Sequence, residues 1–145
     1  MKLKTAYMGE VVIDSKNIIK FEHGIPGFED EKEFILLPIE ENSVFQVLQS
    51  VQTEGLAFII TSPYAVTYNY NFELNEGTLK ALDIKSENEV AVFGIVSLKE
   101  TLANSTLNLK APIVLNTTNK KAKQVILDNE AYTIRHQLTL ESIKG

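Results

Sequence analysis

Short runs of apolar and β-branched residues recur along the chain at intervals of about ten residues, and turn-forming residues separate them. Residues 45–50 alternate between apolar and polar side chains with a period near two, which predicts a strand. Residues 55–61 form a continuous apolar run that ends at Ser62-Pro63. Many short strands at this spacing are typical of all-β folds. We therefore predict a small β-barrel-like or sandwich domain formed by residues 1–145.

The other runs extend this prediction along the whole chain. Turn residues at 14–17 and 117–120 predict hairpins that join 10–13 to 18–21 and 113–116 to 123–127. The longest run, 90–98, is the predicted central strand, in which Gly94 indicates a bulge or a close backbone approach. One short helical segment is predicted between Asn75 and Ile84. Further strands are predicted at 34–37, 68–72, 104–109 and 132–135, with 138–140 as a last strand or a frayed tail.

Composition excludes several classes of protein. The chain has no cysteine, so it has no disulfide framework, thiolate metal site or cysteine nucleophile. The N-terminus lacks the apolar run of a signal peptide, and no stretch reaches the ~18 apolar residues of a membrane helix. Nineteen acidic and fourteen basic residues give a net charge of −5, and the basic residues are scattered. We expect a cytoplasmic protein that binds neither membranes nor nucleic acid directly, and whose acidity favours a basic partner.

An apolar loop follows the predicted strand 18–21. Its side chains Ile25, Pro26 and Phe28 stand between Gly24 and Glu29, on a backbone that proline and glycine constrain. Such a loop either closes the end of a core or forms a docking surface, and the tendency of large apolar side chains to be buried favours the first. The acidic residues Glu29, Asp30 and Glu31 would then be either a solvated turn or the charged rim of an apolar anchor.

A second candidate contact lies around Pro112. Because proline cannot donate to a β-ladder, it belongs at an edge, a bulge or the start of a strand. Asn108, Lys110 and Pro112 are therefore either part of an exposed edge that contacts a partner, or a bulge in which asparagine side chains cap backbone groups. Both interpretations are compatible with the sequence.

Catalytic, metal and nucleic-acid sites have weaker support. The two histidines, His23 and His136, show no zinc-binding spacing, and no serine lies in a nucleophile elbow. We predict no catalytic residue, metal or cofactor, and expect that the protein is not an enzyme. An OB-like single-stranded nucleic-acid-binding domain is the alternative, with bases stacked on Tyr68, Tyr70 and Phe72, but the surrounding sequence lacks basic charge.

Several short sequence elements, spread over nearly the whole chain, together make a specific pattern. They are Gly24-Ile25-Pro26-Gly27-Phe28 after Phe21, Leu48-Gln49-Ser50, Ala57-Phe58 before Pro63, Asn108-Leu109-Lys110-Ala111-Pro112-Ile113, Gln124-Val125-Ile126-Leu127 and Tyr132. In these elements and in their order, the sequence resembles the flagellar assembly factor family, FliW.

The resemblance implies a β-barrel-like bacterial protein of the cytoplasm that binds two partners in turn and is a monomer when free. One partner is flagellin, which the family holds as a chaperone before secretion. The other is CsrA, an RNA-binding repressor of flagellin translation, which the family antagonises away from the RNA site. The residues that we expect to contact a partner are Ile25, Pro26, Phe28, Glu29, Asp30, Glu31, Asn108, Lys110 and Pro112.

Overall fold

The computed structural model describes residues 1–39, 44–67, 69–101 and 104–138. These residues form eleven strands, one α-helix and three short 3₁₀ helices. The strands are β1 (Lys2–Lys4), β2 (Glu10–Val12), β3 (Ile19–Phe21), β4 (Glu33–Pro38), β5 (Phe45–Ser50), β6 (Ala57–Thr61), β7 (Val90–Ser97), β8 (Thr106–Leu107), β9 (Ile113–Asn116), β10 (Lys121–Gln124) and β11 (His136–Gln137), and the helix is α1 (Glu76–Ala81).

Seven strands close into a barrel in the order β7, β6, β5, β4, β3, β10, β9 and back to β7. Every pair is antiparallel except β3 and β10, which are parallel with Phe21 beside Ala122. Strand β8 continues along β7 beyond the end of β9, and β11 pairs with β8. Strands β1 and β2 form a separate two-stranded sheet. The all-β prediction is confirmed, and of the two predicted architectures the chain adopts the barrel.

Alternating side chains divide the apolar residues between the inside and the outside of the barrel. On β4, Phe34 faces inward while Ile35 faces outward, and both are buried. The two-stranded sheet covers the outward residues of β4 and β5 with Leu3 and Val11. A second outer core forms beside β7, where Tyr70, Val96, Leu107, Leu109, Leu127 and Leu138 are packed together. Strands β4 and β5 are covered on both faces, which fits the apolar run 34–37 of β4, whereas β5 also buries the polar side chains of Gln49 and Ser50.

Gly94 lies close to Leu107 of β8 and to Asn108, so of the two predicted alternatives, a bulge or a close approach, the structure shows the close approach. A Cβ atom at this position would lie 2.6 Å from Leu107 Cδ1 and 3.1 Å from the Asn108 carbonyl oxygen. A larger residue at this position would displace the Leu107 side chain and press against the Asn108 carbonyl.

The predicted helix is confirmed and covers Glu76–Ala81, within the predicted segment. The Asn75 side chain accepts a hydrogen bond from the Thr78 N–H at 2.8 Å and so caps its first turn. After the helix, the Asn116 amide of β9 donates to the carbonyls of Leu82 and Asp83. These two bonds fix the helical segment beside the barrel wall.

The hairpin predicted from 10–13 and 18–21 is wrong. The two segments do form strands, but β2 pairs with β1 and β3 pairs with β4 and β10. Between them Ser15–Asn17 forms a 3₁₀ helix capped by Asp14, and the Ile13 N–H donates to the Met1 carbonyl at 2.7 Å. The second hairpin, β9 to β10, is confirmed, with its second strand at Lys121–Gln124 rather than 123–127.

Three other strand predictions are wrong or too long. Within 68–72, residues 69–72 form no strand, and Tyr68 lies outside the described residues. The backbone there is satisfied by the Tyr132 hydroxyl, which accepts from the Asn71 N–H at 2.9 Å and lies 2.8 Å from the Asn71 carbonyl. The strand predicted at 132–135 is also wrong, because these residues form turns and coil and β11 begins only at His136. The run 104–109 shortens to Thr106–Leu107, while Leu138 is buried in a coil and 139–140 are not described.

Candidate functional site

The loop after β3 contains a tight turn. The Phe28 N–H donates to the Ile25 carbonyl at 2.6 Å, with Pro26 and Gly27 between them. Gly27 has a φ of +89°, and proline followed by such a glycine is the pattern of a type II turn. Ile25 and Phe28 form an isolated β-bridge. The proline and glycine thus fix the positions of both apolar side chains.

The two side chains have different environments. Ile25 is 2% exposed and belongs to the core inside the barrel, with Phe21 and Phe34. Phe28 is 41% exposed and contacts Phe58 edge-on, with ring centroids 5.5 Å apart. Pro26 is exposed. The expectation of a buried core-closing residue is therefore met by Ile25, while Pro26 and Phe28 remain at the surface.

The base of the loop is held by a close backbone approach at Gly24. This residue has a φ of +69°, and a Cβ atom there would lie 2.5 Å from the Glu29 carbonyl oxygen. Its N–H donates to the Phe21 carbonyl at 3.0 Å. Because of this geometry the loop folds back directly onto the end of β3.

Two of the three acidic residues that follow the turn also stabilise it. Glu29 Oε2 accepts from the Gly27 N–H at 2.7 Å, and Glu31 Oε1 accepts from the Ser50 hydroxyl at 3.0 Å. Glu29 and Asp30 are exposed, and Glu31 is half-buried. The loop therefore presents a small apolar surface, Pro26 and Phe28, next to negative charge. We call these residues, with Glu29 and Asp30, the loop surface.

The second predicted contact has a mainly structural environment. Asn108 Oδ1 accepts from the N–H groups of Lys110 and Ala111, both at 3.0 Å. The carbonyls of Lys110 and Pro112 accept from Leu127 and Val125 at 2.7 and 2.9 Å. Pro112 is buried and Lys110 half-buried. The exposed edge is therefore wrong, and the capping alternative is the observed arrangement. Whether these residues contact a partner remains a prediction.

The candidate groups for catalysis, metal binding and base stacking are dispersed. His23 is exposed in the turn after β3, and His136 lies on β11. Among the described residues no group of three His, Cys, Asp or Glu side chains could hold a metal ion. Tyr70 is buried and donates its hydroxyl to the Leu109 carbonyl at 2.7 Å, and burial raises its pKa. It belongs to the core, so it offers no face for a base.

The sequence analysis missed a groove of about 900 Å³ beside the first half of β7. Its walls come from β7, the segment 72–74, helix α1 and residues 84–87. The sequence feature related to this groove is Pro63, which follows the end of β6 and begins a 3₁₀ helix, so that β6 does not continue beside β7. In the part of the chain that the structure describes, no helix is long and apolar enough to cross a membrane.

The family model of the FliW protein matches residues 2–138. The chain belongs to the FliW family. The flagellar assembly factor FliW of Oceanobacillus iheyensis is 45% identical over 99% of this chain and 98% of its own length. That of Bacillus subtilis is 46% identical over 98% of this chain and 99% of its own length.

A FliW structure has the same fold. The crystal structure of the flagellar assembly factor FliW superimposes with a TM-score of 0.89 and 39% sequence identity, over 94% of this chain and 96% of that one. The barrel described above is therefore the FliW fold, and the resemblance in the sequence is confirmed. The family motif around Gly24 is the tight turn, and the motif around Pro112 is the asparagine-capped connection between β8 and β9.

Proposed function

We propose that this chain is a flagellar assembly factor that acts in the cytoplasm by switching between two protein partners. It holds flagellin before secretion, and when flagellin leaves it binds the repressor CsrA and relieves repression of flagellin translation. Membership of the FliW family over nearly the whole chain is the observation that carries this proposal. The action is equilibrium binding by a monomer, without a metal, cofactor or covalent step.

The geometry of the loop surface supports a binding role. Its backbone is fixed by the turn at Gly27, by the Glu29 carboxylate and by the close approach at Gly24. A preformed loop loses little conformational entropy when a partner docks, so more of the interaction energy contributes to affinity. Phe28, which is 41% exposed and contacts Phe58 edge-on, is the apolar anchor of this surface.

The charge beside the anchor supports a basic partner. Glu29 and Asp30 are exposed next to Phe28, in a chain with a net charge of −5. Negative charge around an apolar contact speeds the encounter with a positively charged surface and selects against acidic ones. An RNA-binding repressor carries basic residues for its RNA, and their long-range field attracts an acidic surface even when the two proteins dock away from the RNA site.

A displacement experiment tests the proposal. The purified chain is mixed with CsrA, with flagellin, and with both, and complexes are separated by size-exclusion chromatography. We expect one complex with each partner, and release of CsrA when flagellin is added. Failure to bind either partner at micromolar concentration would contradict the function, as would a stable complex that contains both.

A further inference from the structure

Strand β7 extends beyond its neighbour β6. Strand β6 ends at Thr61, opposite Gly94, whereas β7 begins at Val90. The four residues Val90–Phe93 therefore pair with β9 on one side only. On the other side lies the groove of about 900 Å³, which we call the β7 edge groove.

The backbone of Val92 points into this groove. The Glu89 carbonyl accepts from the Thr117 N–H at 2.7 Å, and the Ile95 carbonyl accepts from Asn108 at 2.9 Å, so these two residues point toward β9 and β8. Main-chain groups of neighbouring residues in a strand point to opposite sides. Counting from Ile95, the N–H and the carbonyl of Val92 therefore face the groove.

Proline prevents β6 from satisfying these groups. The register of β6 and β7, with Thr61 opposite Gly94, places Pro63 opposite Val92. Pro63 has no N–H to donate, and it begins a 3₁₀ helix that turns the chain out of the sheet. Among the described residues, Val92 pairs only with Val114 of β9, and no backbone hydrogen bond from outside the strands reaches its N–H or its carbonyl. The groove thus contains a short unpaired strand edge.

The lining of the groove is apolar with a mainly acidic rim. Phe72, Leu74, Leu79 and Ile84 lie across from β7. Glu73 and Glu87 are exposed at the rim, and Lys85 is the single basic side chain among the lining residues. An edge that offers a donor and an acceptor beside apolar walls matches an extended peptide, whose main chain pairs with the edge and whose alternate side chains enter the groove.

We propose that the β7 edge groove binds an extended segment of a partner polypeptide, which adds to the sheet as a strand beside Val92. The segment has apolar side chains at alternate positions and a basic residue at its end, next to Glu87. The four available residues of β7 span roughly 13 Å, enough to pair with a segment of similar length. This surface is separate from the loop surface, and the inference does not depend on the identity of either partner proposed above.

Synthetic peptides test this inference directly. The probes are a panel of capped heptapeptides in which three Ile, Val or Leu residues alternate with Thr between two terminal lysines. Each has a matched peptide in which the central amides are N-methylated and cannot donate. We expect binding in isothermal titration calorimetry, slower hydrogen exchange at the Val92 amide, and at least tenfold weaker binding of the N-methylated peptides.

Two variants and one control locate the binding. Ile84→Glu places a charge in the apolar wall and should weaken binding at least tenfold, while Ile134→Glu, at a position that is 56% exposed and outside the groove lining, should not. Glu87→Lys, at the exposed rim, should weaken the lysine-ended peptides and favour glutamate-ended ones. Melting curves verify that each variant is folded.

Three results would overturn the proposal. If no peptide of the panel bound at up to millimolar concentration, the groove would not be a binding site for an extended peptide. Equal affinity of the N-methylated peptides would mean that the groove takes apolar groups without adding a strand. A dimer in analytical ultracentrifugation that Ile84→Glu abolishes would make a second copy of this chain the occupant.

Discussion

Ile25 and Phe28 bond to each other across the turn, yet one is in the core and the other is at the surface. The sequence showed that the loop is stiff and apolar, because proline and glycine have local conformational effects. It could not assign the two roles, since these depend on Phe34 and Phe58, which come from other strands. The same limit applied at Asn108, where both the capping and the edge interpretation fitted the local residues.

Substitution of the two residues separates stability from binding. Ile25→Ala removes a side chain that is 2% exposed and should lower the free energy of unfolding by about 2–5 kcal/mol. Phe28→Ala removes a ring that is 41% exposed and should cost roughly 2 kcal/mol, below the usual value for a buried phenylalanine. Urea denaturation gives both values, and calorimetry with CsrA and flagellin gives the affinities.

We expect Phe28→Ala to weaken partner binding at least tenfold at a temperature where the variant is fully folded. Ile126→Ala, at a residue that is 68% exposed, is the control and should change neither quantity. If Phe28→Ala retained full affinity for both partners, the loop surface would have no role in docking.

Individual strands were predictable, but several of their partners were not. The run 45–50 forms β5 with its predicted bounds, since a strand depends on its own alternation of side chains. The hairpin at β9 and β10 was also predictable, because the two strands are neighbours in sequence. The turn residues 14–17 predicted that β2 pairs with β3. Instead β2 pairs with β1 and β3 pairs with β10, and both partners lie outside the sequence around that turn.

At the level of one short element, the 3₁₀ helix Glu87–Glu89 at the groove should respond to pH. The pKa of Glu89 is lowered by hydrogen bonds to its carboxylate. The largest effect comes from the Lys85 N–H, at 2.9 Å, and the Thr118 hydroxyl and the Ser86 N–H add to it. A lowered folded-state pKa stabilises the fold above the usual glutamate value, and this stabilisation disappears as pH falls through the lowered value. Glu89→Gln should therefore be less stable than the parent near neutral pH, and the difference should shrink in acid.

Urea midpoints measured from pH 7 to pH 3 give this difference. Glu87→Gln, on the same 3₁₀ helix, is the matched control and should show a smaller change with pH. Equal pH dependence in the two variants would mean that the amides of Lys85 and Ser86 do not favour the charged form of Glu89.

Closure of the barrel is a property of the whole chain. The spacing of apolar runs predicted an all-β domain but left barrel and sandwich open, because closure depends on β7 pairing with β9 and on β3 pairing with β10. Of the two candidate surfaces, the loop surface was predictable because its residues are consecutive. The β7 edge groove was not, because β7, the segment 72–74 and α1 approach each other only after folding.

The separate sheet should open before the barrel. Among the described residues, β1 and β2 make backbone hydrogen bonds only with each other and their own connections, and Ala6 is joined to the barrel by the Gln49 side chain. A two-stranded sheet is marginally stable alone. Hydrogen exchange followed by mass spectrometry should therefore show faster exchange in 2–12 than in 45–61. Equal rates in the two segments would mean that the sheet and the barrel open together.

The parallel contact between Phe21 and Ala122 joins positions about 100 residues apart, which at ribosomal rates of about 5–20 residues per second corresponds to roughly 5–20 s of synthesis. During that interval the emerging chain already carries β3 to β6, with apolar side chains that have no interior to enter. The nascent protein is consequently most vulnerable to aggregation while it is still attached to the ribosome, and translation speed over its second half determines how long that exposure lasts.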